Sequence, residues 1–371
     1  MKKLITAIGL MSGTSCDGID ASIIKSDGEE ELYLIGDYFI PYQDKTRFRI
    51  RQFKEKIEKL LDLEINKNEI SDLEKEITLL HFNATKLLLE KLKINKSSID
   101  VIGLHGHTIF HNFKDKVTKQ LGDGAVLSKL IGLNVVYNFR ENDLKNGGQG
   151  APLVPIFHKL LQKKLQIKTP AVFVNIGGIS NLTYLDKNRE MISFDSGPGN
   201  FLIDKLLQLK SNNKIQFDKN GELAFQGKID KNILESFLSD SYYNLPPPKS
   251  LDVNDFNIST VRGISLENSI TTLSELTSLT IVNALNFFLN KPHKIILCGG
   301  GRKNKYIFER IKKISNIPTV SIDEYKLNGD FTESQAFAYL AIRSFFNKPI
   351  TFTKTTGVSK PTIGGKLIEF K

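Results

Sequence analysis

The chain has 371 residues, of which 40% are hydrophobic and 27 are glycine, and this composition excludes a disordered or fibrous protein. Its length favours two domains over one. The net charge of +10 comes mainly from lysines spread along the chain, without the clustered arginines of nucleic-acid-binding proteins, so we expect no nucleic acid partner.

Three strands separated by turn sequences open the first half. Apolar residues at spacings of three and four then indicate helices that alternate with short buried strands. The predicted elements are strands 4–10, 19–24 and 32–41, helices 48–61 and 71–92, strand 101–104, helix 123–131 and strand 135–137.

The second half repeats this order after a helix that ends near residue 165. The predicted elements are strands 171–176, 182–185 and 191–194, helices 199–209, 232–238 and 267–288, strand 295–297, helix 304–314, strand 320–322 and helix 333–346. We therefore predict an α/β protein of two duplicated βββαβα domains with a ligand cleft between them. The first domain would comprise 1–137 with 340–371, and the second 138–339.

The beginning of the chain is a short apolar strand that runs into a polar turn, so neither an export signal nor a membrane span is predicted. Cys16 and Cys298 lie far apart, each in a glycine-rich turn, which is typical of a reducing cytoplasm. We therefore expect a cytoplasmic protein with no membrane partner. The oligomeric state stays open, a homodimer included.

The sequence MSGTSCDGID, residues 11–20, joins two predicted strands. Gly13 and Gly18 would let the backbone approach a ligand, and the hydroxyls and amides of such a turn can hold phosphate. Asp17 or Asp20 could face a hydrated magnesium ion, which needs few carboxylates. The alternative is an ordinary hairpin turn.

Two further glycine-rich turns follow strands in the second half. NIGGISNLT precedes FDSGPGN, in which Asp195 is predicted at the end of a strand, just before a turn that opens a helix. A carboxylate there suits a general base, although an N-cap is the alternative. The third turn, LCGGGRKN at 297–304, could admit a flat or phosphorylated ligand or serve only as a tight connection.

The sequence LHGHTIFH contains His105, His107 and His111. His105 and His107 are separated by one residue, so on a regular strand both rings would lie on one face. The third histidine would then suggest a zinc site. No cysteine or carboxylate cluster accompanies them. Polar contacts to a ligand, or hydrogen-bonded core histidines, are the favoured interpretations.

In order, the motifs SGTSCDGID, HGHT, GGQGAPLVP, NIGGISNLT, FDSGPGN, PPPKS, CGGG and ESQAFAYLA resemble those of the anhydro-N-acetylmuramic acid kinases. The resemblance runs from residue 8 to about 365. It implies two ribonuclease H-like domains of the actin, hexokinase and Hsp70 fold group. It also implies an enzyme of peptidoglycan recycling that uses ATP and Mg²⁺. Such an enzyme opens the 1,6-anhydro ring of its amino sugar substrate with water and phosphorylates O6, giving N-acetylmuramic acid 6-phosphate.

The resemblance also implies roles for individual residues, with Asp195 as the base that activates water. Of the two aspartates in the first turn, Asp17 is the metal candidate that we carry forward from the residue pattern. The implied nucleotide-binding residues are Ser12, Gly13, Thr14, Ser15, Cys16, Asp17, Gly18, Ile19, Gly197, Gly299, Gly300, Gly301 and Asn304. The implied substrate-binding residues are His105, Gly106, His107, Thr108, Gly148, Gln149, Gly150, Asn181 and Glu333. Family members usually have Gln in place of His107 and Thr in place of Ser196, and they differ after PPPKS.

Two other functions stay open from sequence alone. The first is another kinase of the same fold group that acts on a plain sugar or carboxylate, which a requirement for a 1,6-anhydro sugar would exclude. The second is a nucleotide-driven assembly protein of the actin or Hsp70 type. That class carries a peptide-binding appendage or long insertions, and the sequence contains neither.

Overall fold

The computed structural model describes residues 3–13, 15–188 and 190–370, except for the side chain of Asn254. The strands are β1 (Ile5–Ser12), β2 (Gly18–Ser26), β3 (Leu32–Pro41), β4 (Val101–Asn112), β5 (Val117–Leu121), β6 (Asn134–Tyr137), β7 (Ala171–Ile176), β8 (Ile179–Leu185), β9 (Met191–Pro198), β10 (Lys294–Cys298), β11 (Thr319–Ser321) and β12 (Lys366–Ile368). The helices are α1 (Asp44–Lys56), α2 (Leu60–Ile65), α3 (Lys67–Leu92), α4 (Gly124–Ile131), α5 (Glu141–Lys145), α6 (Pro155–Lys164), α7 (Phe201–Lys210), α8 (Lys231–Leu238), α9 (Leu266–Ala284), α10 (Lys305–Ser315), α11 (Thr332–Phe345) and α12 (Thr353–Thr356).

The chain divides into two compact units. Unit 1 comprises Met1–Lys164 with Phe331–Lys371, and unit 2 comprises Leu165–Asp330. Segments 138–164 and 331–339, which the sequence analysis assigned to the second domain, belong to unit 1.

The two units repeat one strand order. The sheet of unit 1 runs β12, β6, β4, β1, β2, β3, with β5 beside β4, and the sheet of unit 2 runs β11, β10, β7, β8, β9. In each unit the first three strands are antiparallel, and the first strand also pairs in parallel with the fourth. Matching β1, β2, β3, β4 and β6 to β7, β8, β9, β10 and β11 gives the same neighbours and directions. The predicted duplicated α/β fold with ribonuclease H-like domains is confirmed.

Helix α11 fixes the boundary of unit 1 because it packs along the sheet over its whole length. A Cβ atom at Gly9 would overlap with Ser334 O, and one at Gly103 would overlap with Phe337 O. Both glycines therefore let the helix backbone approach the sheet more closely than any side chain would allow. A helix held in this way along its length cannot be divided between two domains near residue 340.

Segment 138–164 packs against the same helix. The ring of Phe139 lies 5.3 Å from that of Phe337, and the ring of Phe157 on α6 lies 5.7 Å from that of Tyr339. These rings are buried in unit 1. The aromatic contacts account for its place there.

Several predicted bounds are wrong. Strand β4 continues through the histidine motif to Asn112, because its second half pairs with β5, which the sequence analysis did not predict. Strand β9 continues past residue 194 to Pro198, since Gly197 and Pro198 still pair with β8. A proline is tolerated there because β9 is the edge strand of its sheet.

None of the helices in the described part of the chain is both long enough and apolar enough to cross a membrane.

Unit 1 contains four buried histidines and a half-buried fifth, His111, and desolvation holds the pKa of each ring below its usual value of 6.5. The pKa falls to about 4 for His81 and His111, to about 3 for His107 and His158, and well below 6.5 for His105. Desolvation is the largest cause in every case, because a charged ring loses its hydration in the protein interior. All five rings are therefore neutral in the folded protein near pH 7.

We predict that unit 1 loses stability as the pH falls below about 6.5. The unfolded chain takes up protons there while the folded histidines do not, so each histidine contributes up to about 1.4 kcal/mol per pH unit. Urea denaturation from pH 7.5 to 5 measures this slope. His81→Leu should reduce it, and the exposed His293→Leu should not. A free energy of unfolding that does not fall between pH 6.5 and 5 would contradict the prediction.

Candidate active site

Asp195 lies in a row of polar side chains that crosses the sheet of unit 2. The strand register places Asn175 of β7 opposite Asn181 of β8, and Asn181 opposite Asp195 of β9. Residues that face each other on neighbouring strands share one face of the sheet. The Asp195 residue is only 6% exposed. The row brings the predicted base and the predicted sugar ligand Asn181 together.

Segment 242–251, which lies beyond α7 and α8 in the chain, contacts Asp195 at three points. The Asp195 amide donates to Lys249 O at 3.0 Å, and the Leu251 amide donates to Asp195 Oδ2 at 2.9 Å. The hydroxyl of Tyr242 donates to Asp195 O at 2.6 Å. Burial, with a further contribution from the Asp195 carboxylate, raises the pKa of Tyr242, so its hydroxyl keeps its proton. These contacts fix both the backbone and the carboxylate of Asp195.

The triple-glycine turn of unit 2 begins beside this row. Gly299 has a φ of 73°, and a Cβ atom there would overlap with Asn175 Oδ1, so the turn needs glycine for both reasons. A Cβ atom at Gly300 would meet no atom within 4 Å, whereas one at Gly301 would overlap with Ile176. The turn thus exposes backbone at Gly300 to an approaching ligand.

Two other predicted nucleotide ligands of unit 2 have structural contacts. Asn304 is the N-cap of α10, where its Oδ1 accepts from the Ile307 amide at 3.2 Å. Gly197 lies against α9, and a Cβ atom there would be 2.7 Å from Thr280 Oγ1. The capping of α10 and the close packing against α9 account for the residue types at these two positions without a ligand.

The predicted phosphate turn of unit 1 follows β1, and Thr14 lies outside the described residues. Ser15 and Asp17 are exposed, and Ser15 Oγ donates to Asp17 Oδ1 at 2.7 Å. Cys16 is buried with a φ of 56°, which is uncommon for a residue other than glycine. The turn therefore presents a hydroxyl and a carboxylate to solvent and anchors its thiol inside.

The remaining predicted residues of this turn pack inside unit 1. A Cβ atom at Gly18 would overlap with Ile40 O on β3, and the side chain of Ile19 belongs to the core of the unit. Gly18 and the Ile19 side chain are buried and have no exposed surface for a ligand. Gly13 O accepts from the Cys16 amide at 3.2 Å and so closes the turn.

His107 joins β4 to the phosphate turn. Its Nδ1 lies 3.0 Å from Ser12 Oγ, and its Nε2 lies 3.7 Å from Cys16 Sγ. The Tyr42 hydroxyl donates to Ser12 Oγ at 2.8 Å, so the Ser12 proton is available to Nδ1 and the ring proton to Cys16. The His107 residue is 0% exposed. A neutral ring thus acts as acceptor at one nitrogen and donor at the other.

The expectation that the rings of His105 and His107 share a face is wrong. Gly106 has a φ of 75°, and the register of β1 with β4 shifts at this point, so the alternation of side chains is interrupted. The ring of His105 packs 4.4 Å from that of Phe337 on α11, away from the partners of His107. His111 instead bonds Thr118 and the backbone of Gln149. In the part of the chain that the structure describes, no three metal-ligating side chains gather into a site.

Arg140 connects the HGHT motif to the GGQGAP loop. Its guanidinium donates to His105 Nε2 at 3.0 Å and to Gly150 O at 2.7 Å. The buried Asp143 also holds this loop, because its Oδ2 accepts from the Gly150 amide at 2.6 Å. A Cβ atom at Gly148 would overlap with this carboxylate. The predicted substrate residue His105 and the predicted substrate loop 148–150 are therefore joined through Arg140 in unit 1.

Two predicted substrate residues stand apart from these contacts. Thr108 Oγ1 accepts from the Gln120 side chain at 3.3 Å, and Glu333 lies half-buried in the first turn of α11.

Sequence reasoning missed five residues that position the predicted site residues within each unit. The PPPKS motif pointed to one of them, whereas the other four belong to no motif that we recognised. The missed residues are Tyr42, Arg140, Asp143, Tyr242 and Lys249.

Comparison with known proteins identifies the family. The family model described as anhydro-N-acetylmuramic acid kinase matches residues 5–369. The chain is 45% identical over 379 aligned positions to the anhydro-N-acetylmuramic acid kinase of Pelagibacter ubique (strain HTCC1062), covering 100% of both. It is 38% identical to that of Zymomonas mobilis subsp. mobilis, covering 97% of this chain and 99% of the relative. It is 39% identical to that of Rhizobium etli, covering 98% of each. The chain belongs to the anhydro-N-acetylmuramic acid kinase family.

Proposed function

We propose that this protein uses ATP to convert 1,6-anhydro-N-acetylmuramic acid and water into N-acetylmuramic acid 6-phosphate. Membership in the kinase family supports the activity, and the observation that carries the mechanism is the fixed carboxylate of Asp195 beside Asn181. Peptidoglycan recycling is the process that would consume such a sugar. The cytoplasm is the compartment that would supply ATP.

Asp195 would act as the general base. As it takes a proton from water, the water oxygen bonds to the anomeric carbon, the bond from that carbon to O6 breaks, and O6 bonds to the γ-phosphorus of ATP, releasing ADP. A glycosidase ordinarily needs a second carboxylic acid to protonate the leaving oxygen. Here the phosphoryl group captures O6 instead, so a single carboxylate suffices.

The nucleotide would bind through backbone amides and hydroxyls of the two glycine turns. The turn of unit 1 offers Ser15 in an exposed position, and the turn of unit 2 offers open backbone at Gly300. Amides arranged in such turns hold phosphate oxygens without a buried positive charge. The assignments to Gly18, Ile19, Gly197 and Asn304 would involve the backbone, because the two glycines have no side chain, Ile19 packs in the core and the Asn304 side chain caps a helix.

The site also suits a hydrated magnesium ion. The carboxylate of Asp17 is exposed and next to a hydroxyl, an all-oxygen environment of the kind that Mg²⁺ prefers. We propose that Asp17 holds the ion through water. Bound magnesium would neutralise charge on the phosphates during transfer.

The sugar would bind at Thr108, the 148–150 loop, Asn181 and Glu333. His105 is buried and its ring nitrogens are bonded to Gly106 O and Arg140, so it would position Arg140 and the loop rather than contact the sugar. Because His107 is buried and both its ring nitrogens already have partners in the protein, we propose that it supports the nucleotide turn rather than touching the sugar.

We predict that Asp195→Asn keeps the fold and nucleotide binding but lowers kcat by about 10² to 10⁴, because an amide cannot accept the proton. Steady-state kinetics and a thermal melt measure both effects. Asp186→Asn, the same change at the turn of the β8–β9 hairpin, is the control and should keep normal turnover. An Asp195→Asn enzyme with most of the wild-type turnover would exclude Asp195 as the base.

We predict that reaction in ¹⁸O-labelled water puts the label on C1 of the sugar and none in the phosphoryl group. A single displacement by water should also invert the anomeric centre. Mass spectrometry of fragments locates the label, and a reaction without sugar controls for separate ATP hydrolysis. Label in inorganic phosphate, with none on C1 of the sugar, would show that water attacks phosphorus instead.

We predict that His107→Leu weakens nucleotide binding about tenfold or more, because it removes the two hydrogen bonds by which His107 holds the phosphate turn. His107→Gln should stay near wild type, since its amide can accept from Ser12 and donate to Cys16. Binding of a non-hydrolysable ATP analogue without sugar measures the effect. His158→Leu, a buried histidine of α6, controls for general destabilisation. Weaker sugar binding with unchanged nucleotide affinity would place His107 on the sugar side instead.

A further inference from the structure

Lys249 is a buried lysine that the proposed chemistry does not use. The residue is 6% exposed, and burial lowers the pKa of its ammonium to about 8. Among the described residues, no carboxylate forms an ion pair with it. Removing a charge from water without a counter-ion costs stability. A lysine kept in this position therefore needs another explanation.

The ammonium of Lys249 is held by carbonyl oxygens and aromatic rings. It donates to Tyr242 O at 2.9 Å and to Tyr243 O at 3.2 Å. It also lies 4.5 Å from the ring centroid of Phe287, 4.6 Å from that of Tyr242 and 5.7 Å from that of Phe194. Carbonyl dipoles and ring faces both attract a cation. The side chain thus ties the end of segment 242–249 to its beginning.

This segment meets the sheet of unit 2 at its β9 edge. Among the described strands, β9 pairs with β8 alone, and segment 242–251 contacts β9 at Asp195 without forming a strand. The two ends of segment 242–251 supply three hydrogen bonds to Asp195. The Tyr242 hydroxyl comes from one end, and the Lys249 carbonyl and Leu251 amide come from the other. The ammonium joins the same two ends. Its loss would release both sets of contacts together.

We propose that Lys249 is a positioning residue for Asp195: its ammonium closes segment 242–249 on itself and so holds the Leu251 amide on the carboxylate. This rests on the proposed role of Asp195 as the base. Lysine suits the task because its ammonium has three donors on a flexible stem, enough for two carbonyls, and presents a compact charge to the rings.

The test compares Lys249→Met with wild type in two measurements. Met fills the space between the rings but neither donates nor carries charge. Amide hydrogen exchange should rise about tenfold or more in peptides that contain Asp195 and Leu251, because the charged hydrogen bonds that close the segment are lost. We expect kcat to fall roughly 10- to 100-fold, with KM for ATP and sugar little changed, because the base is misplaced while the binding residues are not.

Lys294→Met is the matched control, since Lys294 also lies in unit 2 with its ammonium bonded to the hydroxyl of Tyr325 and near its ring. It should change neither the exchange at Asp195 nor kcat. Compared with Lys249→Met, Lys249→Arg should recover part of the protection from exchange at Asp195 and part of kcat, because it keeps the charge and the donors. If Lys249→Met does not fold, Lys249→Gln, which keeps two donors without charge, replaces it, and a rise in exchange confined to the same peptides supports the proposal.

The outcomes separate this inference from the proposed function. Unchanged exchange and unchanged kcat in Lys249→Met, with turnover lost in Asp195→Asn, would overturn the positioning role alone. Faster exchange at Asp195 in Lys249→Met, with full turnover in Asp195→Asn, would leave the positioning contact in place and overturn the base. Equal effects from Lys294→Met would also overturn the positioning role.

Discussion

The 2.9 Å hydrogen bond from the Leu251 amide to the Asp195 carboxylate is the contact on which the proposed chemistry depends. A general base has to hold one direction while a water molecule and a sugar carbon come into line. Asp195 lies on β9, which among the described strands is an edge strand that pairs with β8 alone. The irregular segment 242–251 supports Asp195 there. The geometry of the base is therefore set by residues about fifty positions away in sequence, and it is only as stable as that segment.

In unit 1, neutral histidines hold distant chain segments together, as segment 242–251 does for Asp195 in unit 2. A neutral imidazole donates at one nitrogen and accepts at the other, so it can join two chain segments without a counter-charge. His107 joins β4 to the phosphate turn in this way, and His111 joins β4 to the loop at Gln149. Buried polar networks of this kind stabilise a site when every member has a partner. They also make the site sensitive to acid, because protonation of any ring removes its acceptor.

The succession of strands along the chain and the glycine turns could be predicted from sequence because they depend on local patterns. Strands β1 and β7 are short apolar runs bounded by turn residues, and each begins a meander that the spacing of turns reveals. Strand β5 was missed because only two of its five residues, VTKQL, are apolar, so it carries little apolar signal. The end of β9 was misplaced because Gly-Pro-Gly is typical of a turn, whereas an edge strand accommodates it.

Contacts between distant segments could not be predicted in this way. Nothing near Arg140 in sequence indicates that it will reach both His105 and Gly150, and nothing near Lys249 indicates three aromatic rings around its ammonium. The shared face expected for His105 and His107 follows from the alternation of a regular strand. That rule fails because Gly106 adopts a positive φ. The sequence thus revealed which motifs matter, and the fold determined which side chains meet.

The most direct test of this account is the mass of the product formed from ATP, magnesium and 1,6-anhydro-N-acetylmuramic acid. The account predicts a sugar that has gained one phosphoryl group and one water molecule together, with one ADP released for each sugar converted. A sugar that gains a phosphoryl group without water, or ADP formed while the anhydro ring stays closed, would contradict it.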